Sequence, residues 1–80
     1  MKIDILLFGI TKDILGGERY VLDVEGTVSV ERLKEMLIAK HPELDNLKSL
    51  LVAVNNEYGK PETTISSNDE VALIPPVSGG

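Results

Sequence analysis

The sequence contains no cysteine, few aromatic residues and an excess of acidic over basic side chains. Without cysteine, the chain has no disulfide, no catalytic thiol and no Cys-ligated zinc. Its net charge of −5 leaves it without the basic patch that nucleic acids and anionic membrane surfaces require. We therefore expect neither nucleic acid nor membrane as a partner, and we favour a partner with a basic face.

The sequence also lacks the combinations of residues that perform catalysis or bind metal ions. His41 is the one histidine, and it follows a predicted helix, where it favours the negative end of the helix dipole without needing a metal. The acids Glu57, Asp69 and Glu70 are scattered through predicted turns with no pairing suited to general acid–base work. No phosphate loop, dinucleotide motif or Ser-His-Asp set occurs. We predict no metal site and no catalysis by this chain alone.

The N-terminal apolar run, residues 5–8, is too short for a signal sequence or a membrane span. Eighty residues correspond to one domain near the lower limit of independent stability. We expect a cytoplasmic, soluble protein.

Alternation of apolar residues predicts four strands and a short return strand. The first strand places Ile3, Ile5 and Leu7 on one face. The predicted strands are residues 2–8, 18–24, 50–54 and 71–74, with the return strand at Tyr58.

Two helices are predicted between these strands. A short one over residues 10–15 should turn Ile10, Ile14 and Leu15 inward. The main helix over residues 30–40 begins at an N-cap, Ser29, and ends before Pro42. Its apolar stripe consists of Val30, Leu33 and Leu37.

This order of elements predicts an α+β fold. A mixed sheet with one main helix across one face buries every apolar face, and the first and last strands can lie parallel and adjacent. That arrangement is the ubiquitin-like β-grasp.

The C-terminus combines a strand, the pair Pro75-Pro76 and a closing Gly79-Gly80. The prolines fix φ near about −65° and favour an extended chain. A glycine terminus can be a frayed end. Alternatively, an extended end whose glycines have no side chains suits a narrow enzyme channel in which a Cβ would clash. We favour the second interpretation and predict a domain over residues 1–76 with a flexible tail over residues 77–80.

Three segments resemble the small, sulfur-carrying subunit of molybdopterin synthase, a β-grasp family: residues 41–44 (HPEL), 52–58 (VAVNNEY) and 68–80 (NDEVALIPPVSGG). The resemblance covers essentially the whole chain. The ending PPVSGG is the specific part, since Gly-Gly alone also fits ubiquitin and the thiamine-pathway carrier. Asn68 stands where the family often has glycine, and asparagine tolerates the left-handed region nearly as well.

The resemblance implies that Gly80 carries the chemistry. An adenylyltransferase of the ubiquitin-activating type would use ATP to adenylate the Gly80 carboxylate, and a sulfur donor enzyme would convert it to a thiocarboxylate. In a chain without cysteine, the terminal carboxyl is the group left to hold sulfur. The tail would then enter the large catalytic subunit, in a heterotetramer, where the thiocarboxylate would provide sulfur for the conversion of cyclic pyranopterin monophosphate to the dithiolene. No cofactor would be bound by the chain itself.

The remaining tail residues would shape the terminus. Gly79 would permit close approach to the partner. The residues that would hold the tail extended are Pro75, Pro76, Val77 and Ser78.

Strand parity places Leu6, Phe8 and Ile74 opposite the predicted core face. With Tyr58 they predict a docking patch, although a second small core is the alternative. Alternatives for the function are a sulfur carrier for thiamine or tRNA thiolation, a protein modifier conjugated through Gly80, and a plain interaction module.

Overall fold

The computed structural model describes residues 1–47 and 50–75. Its helices are α1, Ile10–Leu15, and α2, Val30–Lys40, followed by a 3₁₀ helix at Pro42–Asn46. Its strands are β1 Lys2–Leu7, β2 Arg19–Asp23, β3 Val28–Ser29, β4 Leu51–Val54, β5 Glu57–Tyr58, β6 Thr64–Ile65 and β7 Val71–Ile74.

Five strands form a mixed sheet in the order β2-β1-β7-β4-β5. The first and last strands pair in parallel, with Ile5 opposite Val71 and Leu7 opposite Leu73, whereas the other neighbours are antiparallel. The predicted β-grasp architecture is confirmed, including the adjacency of the chain's two terminal strands.

The main helix has the predicted bounds and contacts. Ser29 Oγ accepts a hydrogen bond of 3.1 Å from Arg32 N, so it is the N-cap. The stripe of Val30, Leu33 and Leu37 is buried in one cluster with the inward face of β1. Burial of each such side chain contributes roughly 1.5–3 kcal/mol, so this packing of α2 on the sheet stabilises the domain.

The short helix differs from the prediction. Ile10 is not turned inward: half of it is exposed, while Thr11 is fully buried. The Thr11 hydroxyl accepts a hydrogen bond of 2.9 Å from Phe8 N and donates to Phe8 O. Because both hydrogen-bonding functions of the hydroxyl are satisfied locally, this polar side chain can be buried and the bulkier Ile10 turns to solvent. Ile14 and Leu15 pack partly buried against the core, as predicted.

Smaller differences concern the connections. The connection after α2 forms a 3₁₀ helix in which Leu44 is buried, and β1 ends at Leu7 rather than at Phe8. The sheet formed by β3 and β6 was not predicted. Each of these strands has two residues, which is too short for a recognisable alternation. None of the described helices combines the length and apolarity needed to cross a bilayer.

Candidate functional site: the outer sheet face and the base of the tail

The face of the sheet opposite α2 carries a continuous row of side chains across four strands. Leu6 in β1 lies opposite Ala72 in β7, Ala72 opposite Ala53 in β4, and Ala53 opposite Tyr58 in β5. Directly paired residues of neighbouring strands point to the same side of a sheet. The row therefore joins residues that are far apart in the sequence.

This row contains a shallow depression of about 300 Å³. Ala53 and Ala72 are small, and the larger side chains around them line the same space. The lining residues are Leu6, Phe8, Ala53, Asn56, Tyr58, Glu70, Ala72 and Ile74. The structure thus brings together all four residues of the predicted docking patch, two of them markedly exposed: Phe8 at 47% and Tyr58 at 68%.

Sequence reasoning missed the other residues of the depression. The strand alternation that places Leu6 and Ile74 outward also places Ala53 and Ala72 outward, so parity could have found them. Alanine gives little hydrophobic signal, however, and the two lie directly opposite each other only because β4 pairs with β7.

Tyr58 is presented by a tight hairpin. Both turn residues have positive φ, 54° at Asn55 and 70° at Asn56, which is the type I′ geometry that matches the twist of the flanking strands. Asn55 N donates a hydrogen bond of 2.7 Å to Glu70 O, and Asn55 Oδ1 accepts one of 2.9 Å from Glu70 N. The hairpin is therefore fixed to the segment that enters β7.

Asp69 also belongs to this hydrogen-bond network, because it bonds to Asn55 as well. Its carboxylate accepts hydrogen bonds from Ser66 N at 2.8 Å and from Asn55 Nδ2 at 3.1 Å. The backbone hydrogen bond from Ser66, followed by that of Asn55, lowers the pKa of Asp69 from its ordinary value of 3.8, because both stabilise the ionised carboxylate.

His41 has a structural role. Its backbone N donates to Leu37 O at 2.8 Å at the end of α2, and its ring meets the Tyr20 ring edge-on, with centroids 5.4 Å apart. His41 Nε2 lies 3.2 Å from Tyr20 Oη. Within the described residues no group of three or more His, Asp or Glu side chains is placed to hold a metal ion.

Among the residues predicted to hold the tail extended, Pro75 is half-buried, and its ring lies close to Gly9. The other predicted tail residues lie outside the described residues: Pro76, Val77, Ser78, Gly79 and Gly80. The depression and the base of the tail are adjacent, because Ile74 lines the first and precedes Pro75.

Comparison with known proteins identifies the family. Residues 5–80 match the ThiS family. The molybdopterin synthase sulfur carrier subunit of Chlamydomonas reinhardtii is 35% identical, with both chains covered completely.

Solved structures show the same fold. SAMP1 of Haloferax volcanii superposes with a TM-score of 0.81 at 27% identity over the whole of both chains. Subunit 1 of the molybdopterin-converting factor of Helicobacter pylori, solved in complex with subunit 2, gives 0.65 at 22% identity, again over both whole chains. The chain belongs to the ThiS family and, within it, to the family of molybdopterin synthase sulfur carrier subunits.

Proposed function

We propose that this chain carries sulfur for molybdopterin synthesis as a thiocarboxylate at Gly80. The observation that carries the proposal is the end-to-end match to the Chlamydomonas sulfur carrier subunit. The lack of cysteine is consistent with it, because no cysteine thiol of this chain can hold the sulfur. The chain is a non-catalytic subunit, and the catalytic side chains belong to its partners.

The chemistry requires activation of the carboxylate. A Gly80 carboxylate oxygen attacks the α-phosphorus of ATP on an adenylyltransferase, and pyrophosphate leaves. A persulfide of a separate donor enzyme then attacks the acyl-adenylate and displaces AMP, and reductive cleavage of the resulting acyl disulfide by a thiol leaves the thiocarboxylate. Within the large subunit, the thiocarboxylate sulfur attacks a carbon of cyclic pyranopterin monophosphate and displaces an oxygen substituent. Water then cleaves the acyl C–S bond, which leaves the sulfur on the pterin and returns the Gly80 carboxylate. ATP is used by the activating partner, and this chain needs no bound cofactor.

The depression on the outer sheet face is the proposed contact with both the large subunit and the adenylyltransferase. Its exposed Phe8 and Tyr58 provide aromatic anchors of the kind that dominate binding energy at interfaces. Glu70 on its edge and the net charge of −5 favour partners with basic residues around an apolar centre. A heterotetramer of two small and two large subunits is the proposed assembly.

A second candidate function is protein modification. The Haloferax protein, a small archaeal modifier protein, shares the fold over the whole chain at 27% identity. In this role the Gly80 acyl-adenylate would react with a lysine amine, and an isopeptide bond would form with loss of AMP.

Intact mass spectrometry of the protein purified from its own cells tests these functions against each other. The carrier function predicts a species in which one terminal oxygen is replaced by sulfur. That species should release its sulfur when purified large subunit and cyclic pyranopterin monophosphate are added. Adducts on lysines of other proteins without any thiocarboxylate would favour the modifier, and an unmodified terminus throughout would overturn both.

A further inference from the structure

Gly9 and Pro75 meet at the point where the chain leaves the sheet. Gly9 has φ 57° and ψ −135°, a combination that residues with a Cβ rarely adopt. A Cβ built on Gly9 would lie 3.0 Å from Pro75 Cγ and 3.9 Å from Pro75 Cδ. The proline ring therefore occupies space that is free only because residue 9 has no side chain.

The strand register explains why these residues meet. Leu7 in β1 lies opposite Leu73 in the parallel strand β7. Gly9 lies two positions after Leu7, and Pro75 lies two positions after Leu73. Pro75 has no N–H with which to extend the ladder. The proline ring lies beside Gly9 at the position where the next residue pair of the ladder would stand.

Gly9 itself is firmly held. On one side the buried Thr11 hydroxyl is bonded to both backbone groups of Phe8, and on the other Lys12 N donates a hydrogen bond of 3.1 Å to Gly9 O. The surface on which the Pro75 ring rests is therefore fixed by the start of α1.

We infer that Gly9 is a positioning residue for sulfur transfer: by seating the Pro75 ring, it fixes where and in which direction the chain leaves the domain toward Gly80. This inference rests on the proposed function. Phe8 and Ile74, which line the docking depression, immediately precede Gly9 and Pro75. A partner bound at the depression would thus find the base of the tail at a fixed place, and misplacing reacting groups by about 1 Å can cost on the order of 100-fold in rate.

The test compares Gly9→Ala with Gly16→Ala. Gly16 also has a positive φ, 84°, but a Cβ there meets nothing within 4 Å. Both changes therefore strain the backbone, and only Gly9→Ala pushes the Pro75 ring. A third variant, Pro75→Ala, removes the ring without straining residue 9, and it decides the question if Gly9→Ala does not fold.

The measurements are the single-turnover rate constant for sulfur transfer from the thiocarboxylated protein, and Kd for the large subunit. We expect Gly9→Ala and Pro75→Ala to lower this rate constant by about tenfold or more, with Kd within about threefold of wild type. Gly16→Ala should leave both values unchanged. A rate constant equal to that of wild type in Pro75→Ala, or in a folded Gly9→Ala, would overturn the positioning role while leaving the carrier function intact. A wild-type protein that never carries sulfur would overturn both.

Discussion

Asn55 Nδ2 donates a hydrogen bond of 3.1 Å to Asp69 Oδ1, which joins the turn between β4 and β5 to the turn that precedes β7. Asn55 also donates a backbone hydrogen bond to Glu70 O and accepts one from Glu70 N on its side-chain Oδ1. Together these contacts fix the hairpin that carries Tyr58 to the segment that enters β7. The depression on the outer sheet face therefore depends on a polar link made by Asn55 and Asp69, neither of which lines it.

The stability of this link should depend on pH through Asp69. The Ser66 and Asn55 hydrogen bonds lower the pKa of Asp69 below 3.8 in the folded protein, so its stabilisation is present above the unfolded pKa and is lost as pH falls through the folded pKa. Urea unfolding at a series of pH values should show wild type more stable than Asp69→Asn above about pH 4, with the difference shrinking below it. Asp13→Asn, at an exposed position, is the control. A difference that stays constant down to pH 2 would contradict the argument.

Core and docking residues should respond differently to truncation. Leu7 and Leu33 are almost fully buried, so replacing either by alanine should cost about 2–5 kcal/mol of unfolding free energy. Phe8→Ala and Tyr58→Ala should cost less, but each should weaken binding to the large subunit, by about 2 kcal/mol or more if it is a central anchor. Denaturant midpoints and titration with the large subunit provide the two measurements. Unchanged binding in both aromatic variants would remove the depression from the interface.

Filling the depression should block docking without unfolding the domain. Ala72 is half-buried and lines the depression, so Ala72→Leu should occupy the space that a partner side chain would enter. We expect at least about a tenfold loss of affinity, or about 1.4 kcal/mol, with a smaller change in stability. Val21→Leu adds a methylene at an exposed site in the edge strand β2 and should leave affinity unchanged. Equal effects of the two variants would show that added bulk acts non-specifically.

The terminal carboxyl should be essential for transfer and dispensable for folding. Removing Gly80, or adding one residue after it, leaves every core residue in place, so thermal melts should match wild type. Sulfur transfer should be abolished, because the carboxylate that we propose is adenylated is lost or displaced. Sulfur transfer by the extended chain at the normal rate would refute the carrier function.

Much of the fold follows from local patterns in the sequence. The bounds of α2 were predicted because its cap at Ser29, its apolar stripe and Pro42 all act locally. The outward position of Leu6 and Ile74 follows from strand alternation.

What could not be predicted depends on contacts between distant residues. The exposure of Ile10 follows from hydrogen bonds of the Thr11 hydroxyl, which no hydrophobic pattern contains. The link between Asn55 and Asp69 and the contact between Gly9 and Pro75 both require the strand order to be known. The functional role of the tail was inferred from its residue types and from family resemblance.

The parallel pairing of β1 with β7 also has a consequence for the order of folding. Strand β7 completes the sheet between β1 and β4. Pairing of Val71 with Ile5 closes a loop of most of the chain, and the entropy cost of closing this loop delays the pairing of β7 with β1. On the ribosome, β7 is synthesised after all the other described strands. We expect a nascent chain to lack a closed sheet until β7 has emerged. A partner that recognises the outer sheet face would then bind only chains in which β7 has been synthesised.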